Sequence, residues 1–377
     1  MQPSDFELSQ LSHLSRTPTG YWSFVPPPLP LDMPLSAELI ASLSAADRAI
    51  GELAGVGAWH PDPRILVDPF LRREAVHSSR IEGTIATVTD LVLYEAEATE
   101  SRGDVREVHN YVRALGRVTD PRRRSPLDLL LIRDMHRTLT TGVPRANTVP
   151  GEFRNSQNWI GRPGCLLDDA VYVPPPVGEM RRTLQSLEAY LRSPSPLPPL
   201  VRIALVHYQF EAIHPFLDGN GRVGRLLVSL LLQEWGLLPQ PLLYLSAYFE
   251  RERDEYYGAL ASVSLAGGWE RWVCFFLRGV EVESRDVVDR ALRLADLRAT
   301  HHDRVRGSQG AMQQAMLVDH LFERPAVDIA GAKERLGVTF GAAAHHVQPL
   351  VDVGILQEVT GKDRNRVFVA WEILDLL

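Results

Sequence analysis

Residues 214–225 read HPFLDGNGRVGR, and the chain on either side of them decides which fold they belong to. Before them, Leu200, Ile203, Val206, Phe210 and Ile213 recur at helical spacing on one apolar face. After the glycines, Val223, Leu226, Leu227, Leu230 and Leu231 resume such a face. The stretch therefore joins two helices and opens the second. GNGRVG formally fits GxGxxG, but a dinucleotide fingerprint needs a strand before it, and here a helix precedes. No Gly-Lys-Ser/Thr follows, which excludes a Walker-type phosphate loop. His207, Glu211 and His214 share a helix face without the HExxH spacing of a zinc helix, so a satisfied, partly buried His207 is the plainer reading.

The residue types within the stretch suit phosphate chemistry. Gly219 and Gly221 let a ligand approach the backbone, and free N–H groups at a helix start attract anions. Arg222 and Arg225 lie three residues apart on the first turn and can fork onto phosphate oxygens. Asp218 supplies a hard oxygen for the Mg²⁺ that accompanies nucleoside triphosphates. His214 is a general base suited to neutral pH. From the residues alone, a glycine-rich interhelical turn with surface arginines stays open as the alternative.

Working outward, helical periodicity predicts segments around 69–80, 87–98, 105–118, 128–140 and 180–191, and a long helix from Trp269 that fades near His301. Between two of them, β-favouring runs around Trp159 and Tyr172 flank Gly, Pro and Asp, a hairpin signal in a helical chain. The first 34 residues, with FVPPPLP, read as a Pro-rich arm in extended conformation. GSQG at 307–310 marks a boundary. Beyond it come two helical segments, a turn at Gly337, a third helix and two strand-like runs, the outline of a winged helix-turn-helix. The expected organisation is an arm over 1–34, a catalytic helical domain over 35–306 and a small domain over 308–377.

At 377 residues the chain has ample length for a large core and for more than one domain. A net charge of -7 and a pI near 6.0 give no global field for nucleic acid or an anionic membrane, so any phosphate binding must be local. No apolar run reaches the roughly 20 residues of a membrane span, and the N-terminus lacks the pattern of a signal peptide. Two cysteines, Cys165 and Cys274, are too few for a disulfide framework and fit a reducing cytoplasm.

HPFLDGNGRVGR resembles the Fic-family pattern HxFx[DE]GNGRxxR at every defined position. EVHNY (107–111), GEFR (151–154), NWIG (158–161), YVPPP (172–176) and GILQEVTG (354–361) extend the similarity over most of the chain. The resemblance implies a mainly α, Fic-type helical bundle with a β-hairpin flap, followed by the winged helix. It also implies protein adenylylation: a hydroxyl on a target protein attacks the α-phosphate of ATP. On that likeness His214 is the base, Asp218 holds Mg²⁺, Gly219, Asn220 and Gly221 form the anion hole, and Arg222 and Arg225 bind phosphates. The flap, Asn158 to Val173, would align an extended target segment by strand addition; a hairpin that only covers the core is the alternative. YFERERDEYYGAL resembles the region near the adenine, which would place Tyr256 and Tyr257 at the base unless they simply pack.

SSRIEG at 78–83 is similar to the inhibitory motif [ST]xxxE[GN] of the same family, of the class II type with the inhibitory helix, near 69–84, N-terminal to the catalytic stretch. Ser78 and Glu82 share a helix face at four-residue spacing, and Gly83 suits the helix end. The likeness implies that Glu82 pairs with Arg225 and takes the arginine that holds the γ-phosphate. A solvated glutamate on a turn is the plainer alternative. The rival functions are removal of AMP, transfer of UMP or phosphate, and a winged-helix DNA-binding regulator with a nucleotide-sensing domain. From Ala311 onward six Lys and Arg stand against nine Asp and Glu, which argues for protein docking or a homodimer over DNA.

Overall fold

In the N-terminal segment packing overrides composition. Two short 3₁₀ turns, Pro3–Asp5 and Leu8–His13, lead into an antiparallel pair, β1 (Leu14–Arg16) and β2 (Trp22–Phe24). Phe6 and Phe24 are buried and stacked, and the Phe24 N–H donates to the Val173 carbonyl. The expected extended arm is thus a packed element, because two aromatic rings gain more from burial than the prolines lose. The computed structural model describes residues 1–377 except 18, 60–63, 98–102, 121, 124, 144–148, 163 and 363.

The body is helical: α1 (Ala37–Trp59), α2 (Arg64–Ile81), α3 (Val88–Glu97), α4 (Gly103–Val118), α5 (Leu129–Thr140), α6 (Val177–Arg192), α7 (Pro199–Ile213), α8 (Asn220–Glu234), α9 (Ser246–Arg251), α10 (Arg253–Ala266) and α11 (Trp269–Val305). Their apolar faces meet in one continuous core with α7 and α8 at its centre; Ile203, Val206, Phe210, Ile213, Val223, Leu226 and Leu227 are all buried. Local chemistry sets several ends. Asp128 caps α5 by accepting from the Leu131 N–H, and Pro198–Pro199 start α7, where a missing N–H costs nothing. α2 begins earlier than expected, with Pro69 inside it and not at its first turn. α11 outlasts its expected fade at His301 by four residues. The last residue of the expected helix over 87–98, Ala98, lies outside the described residues, as does Pro163 in the expected hairpin.

After the 307–310 turn come α12 (Ala311–Glu323), β3 (Ala326–Asp328), α13 (Ile329–Leu336), α14 (Phe340–Asp352), β4 (Gln357–Glu358), β5 (Val367–Val369) and α15 (Trp371–Leu374). The strands form an antiparallel sheet in the order β3-β5-β4, with Val327 opposite Phe368. Asp328 and Thr339 cap α13 and α14, and Pro349 falls inside α14. This unit is not free of the body. Val92 of α3 packs with Ala326, Val367 and Val369, and Arg72 of α2 donates to the Glu323 carbonyl at 2.8 Å. The flap carries, among its described residues, a single bridged pair, Ile160 with Tyr172. No described helix is long and apolar enough to cross a membrane.

Candidate functional site

The motif is built around an unusual backbone turn. α7 ends at His214, whose φ of 48° and ψ of 60° are left-handed, a state that most side chains avoid. Neighbours hold it there. The buried Arg154 donates from Nε to the His214 carbonyl at 3.0 Å, and Asn158 Nδ2 donates to the carbonyls of His214 and Phe216 at 3.2 and 2.8 Å. Asn220 ties the loop to itself: its Oδ1 accepts from the Phe216 N–H and its Nδ2 donates to the Phe216 carbonyl, both at 2.8 Å.

His136 of α5 braces the other side. Its ring stacks on Phe216 at 3.8 Å, its Nδ1 accepts from the Gly151 N–H at 2.9 Å, and its Nε2 donates to the Asp218 carbonyl at 3.1 Å. One ring nitrogen must accept and the other donate, so His136 is neutral; burial pushes it down to about 4 in agreement.

His214 Nδ1 faces the Glu211 carbonyl at 3.2 Å. A carbonyl only accepts, so Nδ1 carries the proton and Nε2 keeps its lone pair. Burial, reinforced by Arg154, lowers His214 to about 4, which leaves the imidazole unprotonated at neutral pH. Gly219 begins α8 with φ 82°, where glycine alone is unstrained. At Gly221 a β-carbon would collide with Glu82 Oε1 and lie 2.9 Å from Arg225 Nη1, so the turn is kept bare.

The two arginines point to different partners. Arg222 is buried and is bonded through Nη1 to Glu107 of α4 and through Nη2 to Asp218 at 3.2 Å; burial lowers it to about 10. Arg225, 3% exposed, donates from Nε to Ser78 Oγ at 2.8 Å, and from Nη2 to the Ser78 carbonyl at 2.8 Å and Glu82 Oε1 at 2.7 Å. Glu82 is the first residue beyond α2, followed by Gly83 at φ 95°. Burial pushes the Glu82 carboxyl up, but the Arg225 and Arg222 guanidiniums outweigh it and hold it below the usual range. Ser78, Glu82, His214, Asp218, Gly219, Asn220, Gly221, Arg222 and Arg225 are thus one cluster at the start of α8.

The expected adenine residues separate. Tyr256 is buried, its hydroxyl 2.8 Å from His207 Nε2, whereas Tyr257 is 44% exposed beside Arg253. His207 itself is buried and pushed down to about 3 by burial and Arg225, a packed histidine as the spacing suggested. Sequence reasoning gave no role to Glu107, Arg154, Asn158, His136, Glu74 or Glu211. Burial pushes Glu211 up to about 8, and its Oε1 has no hydrogen-bond partner among the described residues. The signal for Glu107 and Arg154 was present, since both lie inside quoted motifs.

His214, Asp218 and two buried arginines, each paired with a carboxylate, thus meet at the start of one helix. The chain belongs to the Fic/DOC family: the family's N-terminal profile matches residues 40–120 and its Fic/DOC profile matches residues 126–232. Among curated relatives, "Protein adenylyltransferase Fic" of Drosophila yakuba is 41% identical over 91 residues, and that of Drosophila melanogaster is 40% identical over 91 residues. Each match spans 24% of this chain and 17% of the relative's length. Among solved structures, a Fic family protein from Desulfovibrio desulfuricans aligns over 92% of this chain and 98% of its own, with TM-score 0.59 and 19% identity. Fic-1 from C. elegans aligns over 68% and 74%, with TM-score 0.54 and 21% identity. These structures share the fold.

Proposed function

We propose that the protein transfers AMP from ATP to a hydroxyl side chain of a target protein, and to itself, and that Glu82 restrains it. One observation carries this reading: at a single helix start, an imidazole with a free Nε2 lone pair lies near an arginine that a carboxylate occupies. The relatives' name, protein adenylyltransferase, supports the reaction class.

The N–H groups of Gly219 to Gly221 and the Arg225 guanidinium neutralise the triphosphate while Arg222, held by Glu107 and Asp218, braces the turn, and positioning of this kind is most of what such transfer requires. His214 Nε2 takes the proton of the target hydroxyl. Its oxygen bonds to the α-phosphorus as the bond to the bridging oxygen breaks, and pyrophosphate leaves with that electron pair. Among the described residues no group of three or more His, Cys, Asp or Glu is arranged to hold a metal. That fits Mg²⁺, which is typically held by one or two carboxylates together with substrate phosphates. Asp218, with its side chain 29% exposed at the anion turn, would hold it, and the ion would neutralise phosphate charge. Tyr257 offers the open ring for the adenine, supported from beneath by Tyr256.

The exposed Trp159, Ile160 and Val171 of the flap suit docking of an extended target segment. The order helix, strand, two helices, two strands over 308–377 supports the winged-helix reading, and its acidic balance favours a protein contact over DNA. The test is intact-mass spectrometry after incubation with ATP and Mg²⁺, alone and with cell lysate. Glu82→Gly should gain the mass of AMP and His214→Ala should not. Equal gain by wild type and Glu82→Gly sinks the restraint, and no gain by either sinks the transfer.

A further inference from the structure

Arg225 keeps two bonds to α2 that do not involve Glu82, both to Ser78, and a buried carboxylate, Glu74, lies on the same helix one turn before it. Tyr111 of α4 donates to Glu74 Oε1 at 2.8 Å. Ser246 at the start of α9 donates from Oγ to the same oxygen at 2.5 Å and from its backbone N–H to Oε2 at 3.2 Å. Glu74, Ser78 and Tyr111 are each no more than 2% exposed. Glu74 lies one helical turn before Ser78, so α2, α4 and α9 meet at a carboxylate that the proposed reaction does not use.

We infer that Glu74 is a positioning residue of the site: by tying α2 to α4 through Tyr111 and to α9 through Ser246, one turn before Ser78, it fixes the Arg225 guanidinium on α2 independently of Glu82. Displacement of Glu82 then frees one arm of an arginine that stays correctly seated for the γ-phosphate. This rests on the proposed ATP-binding role of Arg225.

The seat is also sensitive to pH. Burial pushes Glu74 up to about 7, against the opposing bonds from Ser246 and Tyr111 and the charge of Arg225. The groups facing it are Tyr111 from α4, Arg225 from α8, Ser246 from α9 and Tyr244 just before α9. On its own helix, Arg73 and His77 line a cavity of about 10 Å³ beside it, and they pair outward with Glu283 and Asp286 of α11 and with Glu250 of α9. Ionised, Glu74 accepts all three bonds. Protonated, its own buried O–H needs an acceptor, and the Tyr111 or Ser246 hydroxyl must turn from donor to acceptor to supply one. The seat is therefore complete above about pH 7 and loosens below it.

The test measures binding, so that it stands apart from transfer. Affinity for a non-hydrolysable ATP analogue with Mg²⁺ is followed by calorimetry from pH 6 to 8.5 in Glu82→Gly, Glu82→Gly/Glu74→Gln and Glu82→Gly/Tyr111→Phe. Both double variants should bind roughly tenfold more weakly at pH 8, the weight of one hydrogen bond to a charged group. Glu82→Gly should weaken as pH falls through about 7, and the Glu74→Gln background should lose that inflection. The analogue's own ionisation is common to all variants and cancels. Tyr111→Phe conserves ring volume and carries the test if Glu74→Gln fails to fold. Unchanged affinity and an unchanged inflection in folded double variants overturn the inference, as does Glu82→Gly binding no analogue. Binding that behaves as expected without AMP transfer upholds the seat and counts against the reaction alone.

Discussion

The two arginines on the first turn of α8 stand three residues apart and lead opposite lives. Arg222 meets Glu107 in the middle of α4, with both side chains 3% exposed or less. Arg225 meets Glu82 just past the end of α2, on a side chain that is 31% exposed. One pair is sealed into the core, where removing a partner strands a charge. The other sits at a helix end that water reaches, where partners can exchange. The same residue type on one helical turn thus serves a fixed brace on one side and a releasable contact on the other, and burial of the partner carboxylate makes the difference.

The largest effect expected from this contrast is the loss of Glu107. Glu107→Ala leaves the buried Arg222 guanidinium with the half-exposed Asp218 as its remaining carboxylate and should destabilise the fold by roughly 3 kcal/mol, read by denaturant unfolding. Glu82→Gly should stay within about 1 kcal/mol of wild type, as exposed pairs do. Equal losses would erase the contrast. Next in size, Glu82→Gly should raise AMP incorporation roughly tenfold or more, because a ligand whose competent state is scarce gains by the factor that populates it; labelled ATP reads this out.

Gly221→Ala should cost about 1–3 kcal/mol through overpacking against Glu82 and Arg225. Part of that cost should vanish in Glu82→Gly, so the double-mutant cycle has a coupling term that an indifferent glycine would lack. The smallest effect is a slope. Burial pushes the Glu74 carboxyl from its ordinary value of 4.5 up to about 7, so the native state holds its proton more tightly. Its stabilising contribution is complete below about 4.5 and is lost as pH rises through about 7. Wild type should lose up to about 1 kcal/mol per pH unit across that window relative to Glu74→Gln. Parallel stability profiles for the two proteins would remove Glu74 from the Arg225 side of the contrast.

What was legible in the sequence follows the same division. The helix pair and the glycine turn could be read because each is a short pattern with its own chemistry, whereas the pairing of Glu82 with Arg225 was legible only through the likeness of SSRIEG to a family motif. Glu107 and Tyr111 stood in a quoted motif, yet their partners are 115 and 37 residues away, and spacing along the chain cannot announce a contact of that range. Arg154 was missed because a buried arginine is improbable until its acceptors, all backbone carbonyls, are visible. The N-terminal segment was misjudged because prolines are conspicuous in a sequence, whereas the stacking of Phe6 on Phe24 is not.

The backbone at His214 bears on how any inactive control should be made. Alanine there would remove the imidazole but keep a β-carbon in a left-handed conformation without side-chain help, so lost activity would arrive together with a sagging loop. Asparagine is the residue after glycine that tolerates this geometry best. A protein carrying His214→Asn should therefore keep the turn in shape while lacking the proton acceptor, and it makes the cleaner trap for substrates.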